Sequence, residues 1–559
     1  MSLTSEPRQP TDRRSEIADY FQGLAFANLF FLFVIVLIGS VVFSFGGRLQ
    51  AWLLPLAALI TLIASPVFSG TWRKAALVAM TFLICHCAAY GISAYLFDGS
   101  WDGLAYHQEA ILRLAAGWNP WIESAGKYGH GQELWNDCFP KASWIGASAI
   151  FIDTGKIEAG KLFHLTLIIA AAAQVAATLL KLTKLKALPV IFLVALAAFN
   201  PVSIYQSTTF YVDGMLSSLF TATVAALVLY LFRPQWRSLF AVGFGICLMS
   251  NLKFTGLLYA VLILGSGILA IWYLQGFRSA LRMAAFSAVT GAVAVLFLGY
   301  SPYVRNLREQ GNIFYPMYGR NAVDFTEPMR PANVAGKDRI TRFLIANFSR
   351  SEYVHPPNST RLKFPFRVYS SEGSACGMAD PEAGAFGPFY SGLLLLTAGA
   401  ALLLLSRRET RQTALVPLLI AGVLLATIFS HTEGWWSRYA PQAWLLPVLV
   451  GLACWQMPVR SLRWWLGSAI VVVACANVLF VGYFFARHEW GYTRMMRRSL
   501  KEMAAAKQPV NVYLGHFRSL RERLRESGIK FSMSDTKPPT DTNTVWHDIP
   551  SVGQAVWSE

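Results

Sequence analysis

Charge is scarce in this sequence. Only 14% of its 559 residues are charged, and acids are the rarer sign, 31 against 48 lysines and arginines. With 55% hydrophobic residues, that profile excludes an ordinary soluble globular domain. There is no internal repeat and no low-complexity tract. No cleavable leader is expected: residues 1–26 are polar and mixed in charge, and the apolar run after them is long enough to span a bilayer. They are read as a cytoplasmic tail. Cysteine is sparse, and five of the seven (Cys85, Cys87, Cys247, Cys454, Cys475) lie in apolar runs as small hydrophobes. Cys138 and Cys376 fall in two separate polar segments, where a disulfide requires both to face an oxidising compartment. Cys85 and Cys87 flank His86, but neighbouring helical positions point apart, so no metal is expected there.

What the chain has in abundance is apolar runs of roughly 20 residues, the length that crosses a bilayer's hydrocarbon core. About thirteen are read, near 27–46, 50–69, 74–97, 156–180, 186–206, 213–232, 238–251, 253–274, 279–300, 388–406, 413–430, 440–457 and 463–485. The connections TWRK, KLTKLK, FRPQWR, QGFRSALR, SRRETR and PVRSLR are all basic, which places them and the N-terminus in the cytoplasm. The same pattern accounts for the net charge of +17 without nucleic acid. Three polar segments then face outward: 98–155, 301–387 and 486–559.

The first outward segment is read as helices lying on the membrane. Asp102 is expected to cap a helix starting at Gly103, with Leu104, His107, Ile111, Leu114 and Trp118 on its apolar face and Glu109 as a solvated charge. The last segment reads as a strand (VNVYLGHF) followed by a helix (SLRERLRESGIKFSM), a small cap. Polar residues gather at outward span ends: Asp98 and Asp102, Lys141 in CFPKASW, Asp213 in FYVDG, Lys253 in SNLKFTG, Tyr303 and Arg305 in SPYVRN, and Arg438 in GWWSRYAP. Charges at such places line substrate paths, although each one alone is also explained by capping, packing or snorkelling to lipid.

The outer compartment holds no nucleotide sugars or ATP, so group transfer there needs a donor activated on a lipid carrier. A polyprenyl-phosphate sugar suits this, because phosphate leaves without a general acid. Its charge calls for cations such as Lys141, Lys253, Arg305 and Arg438. The acceptor hydroxyl calls for a base, for which a carboxylate such as Asp102 serves.

The ordered segments WDGLAYH (101–107), FPKASWIGA (from 139), NPVSIYQSTTFYVDG (200–214), NLKFTGLLY (251–259), SPYVRNLREQGNIFYP (301–316), GAFGPFY (384–390) and SRYAPQAWLLP (437–447) resemble the GT-C integral-membrane glycosyltransferases. The likeness is to the bacterial branch related to protein mannosyltransferases and aminoarabinose transferases. It implies an all-α polytopic fold of GT-C type over 27–485, with a small C-terminal α/β segment at 486–559, in a bacterial inner membrane.

The resemblance further implies a catalytic carboxylate at the start of the first large periplasmic loop, Asp102 with Asp98 as its competitor. It implies lipid-phosphate contacts from Arg305 and Arg438 and an inverting displacement, and the residues themselves add His107, Lys141, Asp213, Lys253 and Tyr303 as candidate substrate or lipid-phosphate contacts. No cofactor is implied, and a divalent metal stays open. Many members carry an Asp–Glu pair where this chain has Asp102–Gly103, and many place that loop after the first span rather than the third. The expected partners are the lipid-linked donor, a glycan, lipid or protein acceptor, and membrane lipids. A polysaccharide polymerase or ligase, and a transporter without chemistry, are the competing readings. A transporter should carry its charges at the bilayer midplane in repeated halves, which this chain does not.

Overall fold

The computed structural model describes residues 13–559 apart from 130, 325, 355, 508, 536–546, 551–552 and 557–559. Among these, eight helices are long and apolar enough to cross a membrane: Arg13–Ser44, Trp72–Tyr95, Ile157–Leu182, Asp213–Phe232, Phe254–Gln275, Phe277–Leu298, Arg408–Phe429 and Leu462–Ala504. Five shorter apolar helices, Leu53–Ser69, Ala187–Ala198, Trp236–Ser250, Tyr390–Leu405 and Pro441–Trp455, lie on the remaining apolar runs. The protein is a helical membrane-spanning protein.

The first helix starts at Arg13, well inside the stretch read as a tail. Its polar start is held in place: Asp19 pairs with Lys181 at 2.7 Å, and Arg14 donates to the carbonyls of Leu180, in the last turn of the Leu162–Leu182 helix, and of Thr183 and Leu185 beyond it. Farther along, Leu24, Leu29, Leu32, Ile35 and Val36 are all buried. A helix that is apolar all round belongs inside a bundle, and this one is packed on several sides. Gln22, buried with it, bonds Ser238 and Lys181. Three basic connections therefore meet at one end of the bundle, since Lys74 also lies 3.9 Å from Asp19 and Arg237 donates to Phe68 O. The segments 98–155 and 301–387 lie at the other end.

In the first of these segments, Leu104, Ile111, Leu114 and Trp118 are fully buried, as their spacing requires. Two expectations fail here. Asp102 has helical backbone angles and makes no capping bond, because Gly103–His107 is a wide π turn that draws residues 101 and 102 into the helix. Its side chain is thereby free to reach elsewhere. Glu109 is not a solvated charge: it is 4% exposed and ion-paired with Arg521 of the C-terminal segment. Cys138 and Cys376 are free, buried thiols and form no disulfide.

The last helix continues to Ala504, well past the apolar run. Glu489, Tyr492, Met496, Leu500 and Met503 recur at helical spacing on its buried face and support the C-terminal domain. That domain is a four-stranded sheet. Val510–Tyr513 pairs in parallel with Phe531–Ser534 through the Leu520–Glu526 helix, and antiparallel with Gly553–Val556. The latter pairs in turn with His547–Ile549. The Leu520–Glu526 helix sits on the first outward segment. Ser519 Oγ donates to Leu104 O at 2.7 Å, and Arg523, 1% exposed, donates to Asp98 O at 2.5 Å and to Glu158 at 2.8 Å. Glu526 accepts from Ile157 N.

Candidate functional site

At the bundle end that holds the segments 98–155 and 301–387, three aspartates far apart in sequence converge on one guanidinium. Arg438 lies in the loop before the Pro441–Trp455 helix. Its Nη2 donates to Asp102 Oδ2 at 2.7 Å, its Nη1 to Asp380 Oδ2 at 2.5 Å and its Nε to Asp213 Oδ2 at 3.1 Å. The planar fork of arginine, with five N–H groups, serves several carboxylates at once, which lysine cannot do. Rings of Tyr211, Trp436 and Tyr439 surround it at 4.6–5.3 Å.

Asp213 is set by local sequence. Asn200 accepts from Val202 N and starts the short Pro201–Gln206 helix, with proline at its first position where no N–H is needed. Gln206 then accepts from Gly214 N and donates to Asp213, fixing the start of the Asp213–Phe232 helix. A side chain at Gly214 would meet the His164 ring at 2.6 Å. Asp213 also accepts from the Lys253 ammonium, which stands 3.8 Å from the centre of the Tyr439 ring. Asp102 additionally accepts from Tyr106 Oη at 3.2 Å, one turn on in the same helix.

Asp380 had no signal in the sequence beyond an acid in the polar stretch GMADPEAG. Only the fold brings it to Arg438. Burial, reinforced by Asp102 and Asp213 and opposed by Arg438, pushes its carboxyl up to about 8. Among the described residues its Oδ1 is buried without a partner.

The structure therefore brings together Asp102, Asp213, Lys253 and Arg438 of the expected set and adds Asp380. The others stand apart. Asp98 is fully buried; it accepts from Ser100 N and Phe210 N and closes the loop under Gly103. A side chain at 103 would approach Asp98 Oδ2 to 2.0 Å, which explains a glycine beside Asp102. His107 Nδ1 accepts from Trp144 Nε1 at 2.6 Å, so Nε2 carries the proton of the neutral ring. Burial lowers that ring to about 4. Lys141 donates to the carbonyls of Asp137 and Phe139 between Trp118 and Trp144. Tyr303 donates to Ser250 O. Arg305 pairs with Glu309 and donates to the carbonyls of Pro120 and Glu123, tying the two long outward segments together.

Among the described residues no group of three His, Cys, Asp or Glu side chains is arranged to hold a metal ion. The charged groups of the cluster differ in access. The Asp102, Lys253 and Arg438 side chains are 18%, 19% and 11% exposed, whereas Asp213 is wholly buried. No protein-family model matches the chain, and no curated protein matches it.

Proposed function

We propose that the chain is a GT-C-type glycosyltransferase of a bacterial inner membrane. In this reading it crosses thirteen times with its N-terminus in the cytoplasm, and it moves a sugar from a polyprenyl-phosphate donor to an acceptor hydroxyl on the periplasmic side. The observation that carries the reading is the cluster itself: one carboxylate, Asp102, and two cations, Lys253 and Arg438, keep part of their side chains accessible beside the wholly buried Asp213. A base and an anion-binding pair are what displacement of a lipid phosphate requires.

Asp102 takes the proton of the acceptor hydroxyl as its oxygen bonds to the anomeric carbon. The bond from that carbon to the phosphate oxygen breaks on the opposite face and the electron pair leaves with the polyprenyl phosphate, so the anomeric centre inverts. Lys253 retains N–H groups beyond its bond to Asp213 and, with Arg438, receives the charge on the departing phosphate. Lys141 and Arg305 are already engaged with backbone carbonyls and neighbouring acids, which makes them supports of the loop rather than phosphate ligands in this reading.

The test is transfer from a polyprenyl-phosphate sugar by the purified full chain in detergent or vesicles. Asp102→Asn should lower turnover by about 10²–10⁴-fold with donor binding retained. Turnover near that of the parent chain would remove Asp102 from the mechanism.

A further inference from the structure

The basic connections gather at one bundle end, yet the last helix carries a dense run of cations at the other. Arg463, near its start, bonds Leu403 O and lies beside Ser406, within the basic side. Past the final apolar residues, Arg487, Trp490, Arg494, Arg497 and Lys501 follow at intervals of three and four, which puts them on one helix face. Arg498 lies beside them. All six are largely solvent-exposed. The acids nearby do not neutralise this face: Glu489 is buried on the other side with Thr208, and Glu502 pairs with Arg498. Arg487, Arg494 and Lys501 have no ion-pair partner among the described residues.

The position of the stripe relative to the spans is fixed by Tyr95, at the end of the Trp72–Tyr95 helix. Its ring stacks on Trp490 at 5.5 Å. The Arg497 guanidinium reaches back to Tyr95 O at 2.7 Å and lies 4.3 Å from the centre of that ring. Tyr95 and Trp490 are each nearly half exposed, on two helices whose lipid-side faces are open. Amphipathic rings at span ends mark the headgroup level. Arg487 lies one turn below Trp490, and Arg494 about 10 Å above Arg487, on the order of one Debye length.

We infer that this stripe binds the phosphate headgroups of anionic phospholipids in the leaflet at the C-terminal end of the last span. The reason is charge complementarity at the depth where those phosphates lie. The site does not depend on the transferase reading, and it lies on the bundle's outer surface, away from Arg438.

The full chain, purified in mild detergent and mixed with equal parts phosphatidylglycerol and phosphatidylcholine, tests this by native mass spectrometry of the retained lipids. Each cation near an anionic surface strengthens association by about fivefold. Phosphatidylglycerol should therefore be retained over phosphatidylcholine by at least about fivefold. R487Q/R494Q should lose most of that preference, while R487K/R494K keeps it. A preference unchanged in R487Q/R494Q, or none in the parent chain, overturns the proposal.

Discussion

Arg438 Nη2 stands 2.7 Å from Asp102 Oδ2, joining residues 336 positions apart in the chain. The same guanidinium holds two further carboxylates that have little or no contact with solvent. Asp102 is thus the one aspartate of the three held by Arg438 at the rim of the site rather than beneath it.

Removing that guanidinium strands buried acids. Arg438→Gln should destabilise the protein by about 3–5 kcal/mol, the usual cost of leaving buried charges without their partner. Arg438→Lys should recover part of this, because lysine keeps the charge and loses the fork. Thermal unfolding of the two variants in detergent checks the order; equal melting temperatures for the Gln and parent chains would contradict the burial described for Asp213 and Asp380.

Asp380 should give stability a pH dependence. Its carboxyl is raised in the folded state from 3.8 to about 8, chiefly by burial. The folded protein then holds a proton that the unfolded chain has lost, so this contribution is fully present below 3.8 and declines as pH rises through about 8. Melting temperature should fall over that window in the parent chain and fall less steeply in Asp380→Asn. A pair of superimposable pH profiles is the contrary result.

Gly103 is a packing requirement rather than a flexible joint. Gly103→Ala drives a methyl group onto Asp98 and should cost about 1–3 kcal/mol, with a displaced Asp102 and reduced transfer. Gly91→Ala, in a helix where nothing lies within 4 Å, should instead stabilise by roughly 0.5–1 kcal/mol. Comparing the two melting temperatures separates a steric effect from a general glycine effect.

Arg523 anchors the C-terminal domain through Asp98 O and Glu158. Arg523→Met should cost about 3–5 kcal/mol and expose the junction near residue 505 to limited proteolysis. Arg525→Gln, whose side chain pairs with Glu522 at the surface, should stay within about 0.5 kcal/mol of the parent chain. Equal protease resistance in Arg523→Met would mean that the remaining contacts, among them Arg521–Glu109 and Ser519–Leu104 O, dock the domain without it.

The apolar runs were legible as helices because each is a local stretch of apolar residues, and eight of those helices are long and apolar enough to cross a membrane. Asp102, Asp213, Lys253 and Arg438 were legible because charge at a span end is rare enough to notice. Asp380 was not, since it sits in an irregular stretch without periodicity and its partner lies 58 residues away. Glu109 was misread for a similar reason: Arg521, which buries it, comes 412 residues later. The capping expectation at Asp102 failed on geometry. A π turn begins where the spacing suggested an ordinary helix start, and no local residue announces the wider ring.

The grip of the Leu520–Glu526 helix on the Asp98–Glu109 stretch has a consequence for biosynthesis. Asp98 emerges early and Arg523 some 425 residues later, so the first outward segment must wait for nearly the whole chain before its floor is closed. A nascent or prematurely terminated product would carry every span through Phe485 and the entire Arg438 cluster, yet leave Leu104 O, Asp98 O and Glu109 without their last partners. Completion of the site is in this way tied to synthesis of the Leu520–Glu526 helix.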